Sequence, residues 1–125
     1  MKYGIADTDW EKVFVTLSHF PNIQRAILFG SRAKGNHKPF SDVDIALIGK
    51  SISINDLLEL KNEIDDLLLP YEFDFCVYKD LKNSDLKSHI DRRGIEIYRT
   101  KSQAVSNNFI FEAKRQDDNK KVYTF

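Results

Sequence analysis

Two hydrophobic periods alternate along this chain, and their order restricts it to a sheet layered with helices. Trp10, Val13, Phe14 and Leu17 recur at i, i+3, i+4 and i+7, an apolar helical stripe. Thr8-Asp9-Trp10-Glu11 has capping-box spacing, with Thr8 as N-cap, and Pro21 closes the element. Ile23 to Phe29 reads as a strand ending in Gly30-Ser31, and a polar loop from Arg32 to Ser41 leads to a second strand-like run, Val43 to Ile48. Ser53 to Asp56 offers another capping box. Leu57, Leu60, Ile64, Leu67 and Leu68 continue one helical face until Pro70. Tyr71 to Tyr78 alternates as a strand does, Leu81 to Arg93 reads as a shorter helix with Gly94 at its C′ position, and Ile95 to Tyr98 as a last strand. The order implies an α/β (α+β) fold, a small mixed β-sheet covered by helices. The first two strands are expected to pair directly, because the loop between them shows no helix of its own.

Composition narrows the function classes. At 125 residues the chain has one domain's length and can bury a core without disulfides. Nineteen basic residues balance nineteen acidic ones, which argues against coating nucleic acid through bulk charge, and no direct nucleic-acid binding is expected. No apolar run approaches the roughly 18 residues of a membrane span. Met1 to Asp7 lacks the apolar core of a signal peptide, so the expected location is cytoplasmic. A single cysteine, Cys76, excludes an internal disulfide and a cysteine-based zinc cage. Residues 1–100 form the expected domain. Residues 101–125 read as a tail of unassigned role with five basic and three acidic residues, in which Phe109-Ile110-Phe111 suits an edge strand or a partner contact.

Three local features converge on phosphate chemistry. Gly30-Ser31 ends a strand, where glycine lets backbone approach a ligand and the following N–H groups and hydroxyl suit phosphate oxygens. Asp42 and Asp44 are two apart in an extended segment, so their carboxylates share a face. Such a pair repels unless a cation lies between, and hard oxygen donors suit Mg²⁺ or Mn²⁺. Asp74 stands in mid-strand between Phe73 and Phe75, on the face of Glu72, Cys76 and Tyr78. Each feature alone has an ordinary explanation: a turn, a solvated loop end, the exposed face of an edge strand. Together they are the parts of a two-metal phosphoryl-transfer site. His19, His37 and His89 show no metal-ligand spacing, Cys76 reads as a packed strand residue, and Arg92-Arg93 is explained by the dipole of the helix it ends.

Gly30-Ser31-Arg32-Ala33-Lys34-Gly35, ten residues from Arg32 to Ser41, and then Asp42-Val43-Asp44 resemble the signature of the DNA polymerase β-like nucleotidyltransferases. The Gly-Ser-x-Ala-x-Gly form, the short chain and the later Asp74 resemble the minimal nucleotidyltransferase (MNT) family, antitoxin partners of HEPN-domain toxins. The resemblance covers roughly residues 8–100, and Lys34 stands where many members carry arginine. It implies that Asp42, Asp44 and Asp74 bind two catalytic metal ions, Mg²⁺ or Mn²⁺, and that Asp74 also helps deprotonate the acceptor. It implies that Gly30 and Ser31 hold the nucleotide phosphates, with Arg32 and Lys34 adding charge. The implied reaction moves a nucleoside monophosphate, AMP from ATP, to a hydroxyl of a HEPN toxin, a tyrosine by family resemblance. A homodimer and a hetero-complex both stay open. Two other readings remain: an antitoxin that neutralises its partner by binding alone, and a small-molecule nucleotidyltransferase of the aminoglycoside type.

Overall fold

The strand alternation read from the sequence is realised in a computed structural model that describes residues 1–100 and the backbone of residues 123–124. The tail reading, Phe109 to Phe111 included, lies outside the described residues. Strand β1 (Arg25–Phe29) pairs antiparallel with β2 (Val43–Ile48), as expected from their direct connection. On its other side β2 pairs in parallel with β3 (Phe73–Val77), and β1 pairs antiparallel with β4 (Ile95–Arg99). A two-residue strand β5 (Tyr123–Thr124) lies parallel to β4, so the sheet is mixed, with the order β3-β2-β1-β4-β5.

Alternation gives the two faces of this sheet different fates. Ala26 and Leu28, Val43, Ile45 and Leu47, and Phe73 and Val77 join one large core. Helices α1 (Asp7–Ser18) and α3 (Ile54–Asp66) close it with Trp10, Val13, Phe14, Leu17, Leu60 and Ile64. Trp10 stacks on Phe14 with centroids 5.6 Å apart. Among the described residues, the apolar side chains buried on the opposite face are Ile27, Ala46 and Ile90, the last from helix α4 (Ser84–Arg93). The strand ends beyond α4 are left for polar chemistry. No helix among the described residues is long and apolar enough to cross a membrane.

Several boundaries differ from the sequence expectation, each for a local reason. Helix α1 is capped by Ala6 and not by Thr8, which lies inside the first turn. A Lys2–Ile5 bridge delivers the chain at Ala6, whose carbonyl accepts from both Asp9 and Trp10 N–H groups at 3.0 Å. The Ser53–Asp56 capping box forms in full. Leu68 leaves the helical face: it takes φ +55° and is 87 % exposed, while Leu69 packs on the core instead. Helix α4 starts at Ser84 rather than Leu81, because the Asn83 side chain accepts the N–H groups of Asp85 and Leu86. Gly94 is extended, not left-handed, so conformational freedom is not its role. A Cβ there would meet Ile27 Cγ2 and the Ile90 carbonyl at 2.5 Å each, so glycine is what lets the end of α4 sit directly on β1. The expected loop also opens with one helical turn, α2 (Ser31–Lys34).

Candidate active site

Three carboxylates meet where β2 and β3 emerge on the thinly covered face. Asp42 precedes β2 and Asp44 lies within it, on one side of the strand. The parallel register sets Asp74 of β3 directly beside Asp44, and the antiparallel register sets Phe29 of β1 on its other flank. Asp44 is half-buried, whereas Asp42 and Asp74 are exposed, with Asp74 on the edge strand of the sheet. The Asp44 carboxyl is held above the ordinary carboxylate range, first by burial and then by the negative charges of Asp74 and Asp42. Asp44 therefore senses both neighbouring carboxylates electrostatically. Among the described residues, no three His, Cys, Asp or Glu side chains are already gathered around a common ion position. An uncompensated trio of carboxylates is expected to stand apart in this way, since drawing them closer without a cation raises their repulsion. The donor set, all carboxylate oxygens at one strand end, fits a hard divalent cation such as Mg²⁺ or Mn²⁺.

The glycine turn is built against this centre. Gly30 takes φ +78° and ψ −155°, a region essentially closed to other residues. A Cβ at this position would run into Asp44 Oδ2. The backbone after β1 thus lies against the central carboxylate. Ser31 follows as the first residue of α2, a single turn whose leading N–H groups have no acceptor within the helix. The turn and Asp44 are one unit, and a side chain at residue 30 would push them apart.

Arg32 does not extend from that turn into solvent. The expectation of a phosphate contact is corrected by its burial: its residue is 1 % exposed. Nε and Nη2 donate to the Ser41 carbonyl at 3.1 and 2.8 Å, Nη2 to the Pro39 carbonyl at 3.2 Å, and Nη1 to the Tyr3 carbonyl at 2.8 Å. Its guanidinium carbon lies 5.6 Å from the Tyr71 ring centroid. The guanidinium therefore knots the N-terminal turn, the residue before Asp42 and the approach to β3. It fixes the loop that presents Asp42. Among the described residues no carboxylate partners it, and carbonyl dipoles with an aromatic face take that part.

Lys34 is exposed, as a phosphate-binding lysine must be, and shares a groove with His89, Arg92 and Arg93. Nothing in the residue order signals that company, because the four residues come from elements about 55 positions apart. Cys76 packs beside Ala46 as expected, and burial, with Asp74 and Asp44 nearby, pushes its thiol up to about 11. It stays a neutral thiol near pH 7 and supplies no nucleophile. His19 pairs with Glu63 at 2.8 Å on the surface, and His37 lies against Gly4, so the three histidines share no site.

Residues 11–103 match the family described as Polymerase beta, Nucleotidyltransferase. No curated protein sequence matches significantly. Among solved structures, a toxin–antitoxin complex with AMP-PNP is similar at TM-score 0.60 and 21 % identity, covering 87 % of this chain and 94 % of the other. The MntA–HepT toxin–antitoxin is similar at TM-score 0.56 and 19 % identity, covering 90 % and 95 %. A complex of the tri-AMPylated Shewanella oneidensis HEPN toxin with its MNT antitoxin is similar at TM-score 0.55 and 18 % identity, covering 89 % and 92 %. At these identities the likeness is one of fold.

Proposed function

Because the chain belongs to the polymerase β nucleotidyltransferase family, we propose that it transfers AMP from ATP to a hydroxyl of a partner protein, and that the partner is a HEPN-domain toxin. The observation that carries the reading is the position of Asp44, between Asp74 on one strand and the Gly30 turn on the other. A reaction joining an acceptor hydroxyl to a nucleotide phosphate needs those two functions side by side. The AMP-PNP and tri-AMPylated complexes of similar fold support the choice of nucleotide and of partner.

Asp42, Asp44 and Asp74 hold the divalent ions in this reading, and Gly30 and Ser31 hold the nucleotide phosphates. Ions held there would supply positive charge against the charge that develops on the transferred group and on the leaving oxygen. The acceptor oxygen attacks the α-phosphorus. The new O–P bond forms as the bond from Pα to the bridging oxygen breaks, and pyrophosphate leaves with that electron pair. Asp74, exposed at the sheet edge, takes the acceptor proton. A reaction that draws on an ATP pool is consistent with a cytoplasmic location.

Incubation with α-labelled ATP, Mg²⁺ and a HEPN partner, read by intact mass, tests this. The expected result is a partner heavier by AMP units, lost with Asp42→Asn. Persistence of transfer in Asp42→Asn/Asp44→Asn would remove the metal-site assignment. A wild-type chain that silences its partner with no mass change would make it a binding-only antitoxin. Label on an aminoglycoside but not on protein would move the acceptor to a small molecule.

A further inference from the structure

Strand β3 ends the sheet on the Asp74 side. The Val43 N–H donates to the Glu72 carbonyl at 2.8 Å, and Val43 pairs with Phe73 in parallel register. Backbone groups alternate sides along an extended chain. Those of Asp74 and Cys76 therefore face β2, and those of Phe73, Phe75 and Val77 face outward. Lys61 Nζ donates to the Phe73 carbonyl at 2.8 Å. Among the described residues, the N–H and carbonyl of Phe75 have no hydrogen-bond partner. An open strand edge pairs readily with another chain, and charge, proline or a bulge usually blunts it. Here Lys61 covers one end of the edge, and the rest adjoins exposed apolar side chains. Ile54, Leu58, Lys61 and Asp65 lie at i, i+4, i+7 and i+11, on one side of α3. Lys61 reaches Glu72 and Phe73 from that side, so it borders the β3 edge. Ile54 is 68 % exposed and Leu58 56 %.

Charge says what can lie against this edge. Seven acidic residues and one basic residue fall between Ile54 and Val77, in a chain of zero net charge. The one basic residue, Lys61, is already bonded to Asp65 and Glu72. Such an imbalance repels a second copy of the same edge and attracts a basic segment. Resting on the proposed transfer to a partner hydroxyl, we propose that the β3 edge docks the acceptor: an extended, basic segment of the partner adds to the sheet beside β3. Side chains alternate across an added strand. The residue set beside Asp74 shares its face, with Cβ atoms about 5 Å apart. Its hydroxyl then stands on the face that carries Asp74 and Asp44. The residues before and after it point to the α3 face, where Leu58 and Ile54 receive them. The sheet thus lines up the Gly30 turn after β1, Asp44 on β2, Asp74 on β3 and the acceptor beyond, in the order the transfer needs. The acceptor segment is a hydroxyl residue between apolar neighbours, with basic residues outside them. Main-chain bonds supply affinity, and the α3 side chains supply specificity.

The probe is a synthetic peptide, Lys-Val-Arg-Val-Tyr-Val-Arg-Val-Lys, titrated into the full chain by fluorescence anisotropy. Two further peptides carry N-methyl groups, one on the valines and one on the arginines and tyrosine. One of them should bind about tenfold more weakly than the parent, because its methyl groups face β3, and the other should keep most of the affinity. Hydrogen exchange at the Phe75 N–H should slow on binding. Phe75→Pro and Phe75→Val both lose the ring, but only the proline loses the outward N–H, so only Phe75→Pro should weaken binding about tenfold further. Ile54→Lys/Leu58→Lys should weaken it with an unchanged unfolding midpoint, since both positions are exposed. In transfer assays with a HEPN partner, that lysine pair should raise KM for the partner about tenfold and leave KM for ATP unchanged. Equal affinity of the three peptides would reduce the contact to charge and overturn strand addition. An unchanged KM for the partner would overturn the docking edge while transfer stands. A wild-type dimer that the lysine pair dissolves would also overturn it, by giving the edge to a second copy. Peptide binding as described, with no AMP on any partner, would defeat the proposed reaction and leave the docking edge standing.

Discussion

The two faces of this sheet come from the same strands and do opposite work. On one, Ala26, Leu28, Val43, Ile45, Leu47 and Phe73 vanish beneath α1 and α3, in a core rich in stacked aromatics. On the other, Ile27 and Ala46 meet Ile90 of a single helix, and Asp44 and Asp74 lie further along β2 and β3. The closed face supplies enough burial that the open face can carry like charges, a strained glycine and a basic groove. A sheet with one face in surplus can hold a site that lowers its own stability.

The sharpest way to break this division is to neutralise the centre of the open face. Asp44→Asn should lower AMP transfer by roughly 10³-fold or more, the scale of removing several kcal/mol of transition-state stabilisation. Its thermal midpoint should hold or rise, since a half-buried charge beside two others is gone. A marked loss of folding would show instead that Asp44 is structural. On the closed face the expectation reverses. Leu28→Ala should cost about 2–5 kcal/mol in denaturant unfolding. Ile27→Ala, one residue along the same strand but in the smaller cluster, should cost less. Equal costs would erase the distinction between the faces.

Arg32→Met tests the knot beneath the open face. It removes the shared donor from the carbonyls of Tyr3, Pro39 and Ser41, and a group left unsatisfied where water cannot replace the donor costs about 1–3 kcal/mol. We expect a stability loss of about 3 kcal/mol for the set, together with a raised Mg²⁺ requirement, because the loop bearing Asp42 loosens. If instead KM for ATP rises with stability and Mg²⁺ dependence intact, Arg32 contacts nucleotide and the loop assignment falls.

That residue also marks where sequence reading reached its limit. The strand faces and the alignment of Asp42, Asp44 and Asp74 were legible, because period two is a geometric consequence of the extended chain. The spacing from Gly30-Ser31 to Asp42 was legible as a family signature, and residues 11–103 match that family. Arg32 was not, because a polar loop of this composition looks solvated until its carbonyls are seen to need a donor. The one-turn α2 has too few residues to show a period. Gly94 looked like a left-handed cap and proved to be a contact, which only the neighbouring Ile27 reveals. The meeting of Lys34 with α4 is purely tertiary.

The smallest expected effect is also the cleanest for the open face. Asp44 has a folded pKa above its unfolded value of 3.8, so the folded chain binds more protons in the window just above that value. Unfolding free energy must then fall as pH rises through the folded pKa, and the stability present below 3.8 is lost above it. Asp56 acts in the opposite direction: its carboxyl is held low, mainly by the Ser53 backbone N–H. The contribution of Asp44 is therefore read as a difference, wild type minus Asp44→Asn, in melting temperature between pH 4 and pH 7. That difference should decline with pH by a few degrees at most. Mg²⁺ should cancel the decline at pH 7, because a cation favours the ionised carboxylate that burial and its neighbours disfavour. A difference that is flat with pH, or indifferent to Mg²⁺, would mean that Asp44 is neither charged against its neighbours nor a metal ligand. The open face would then be open for a reason other than catalysis.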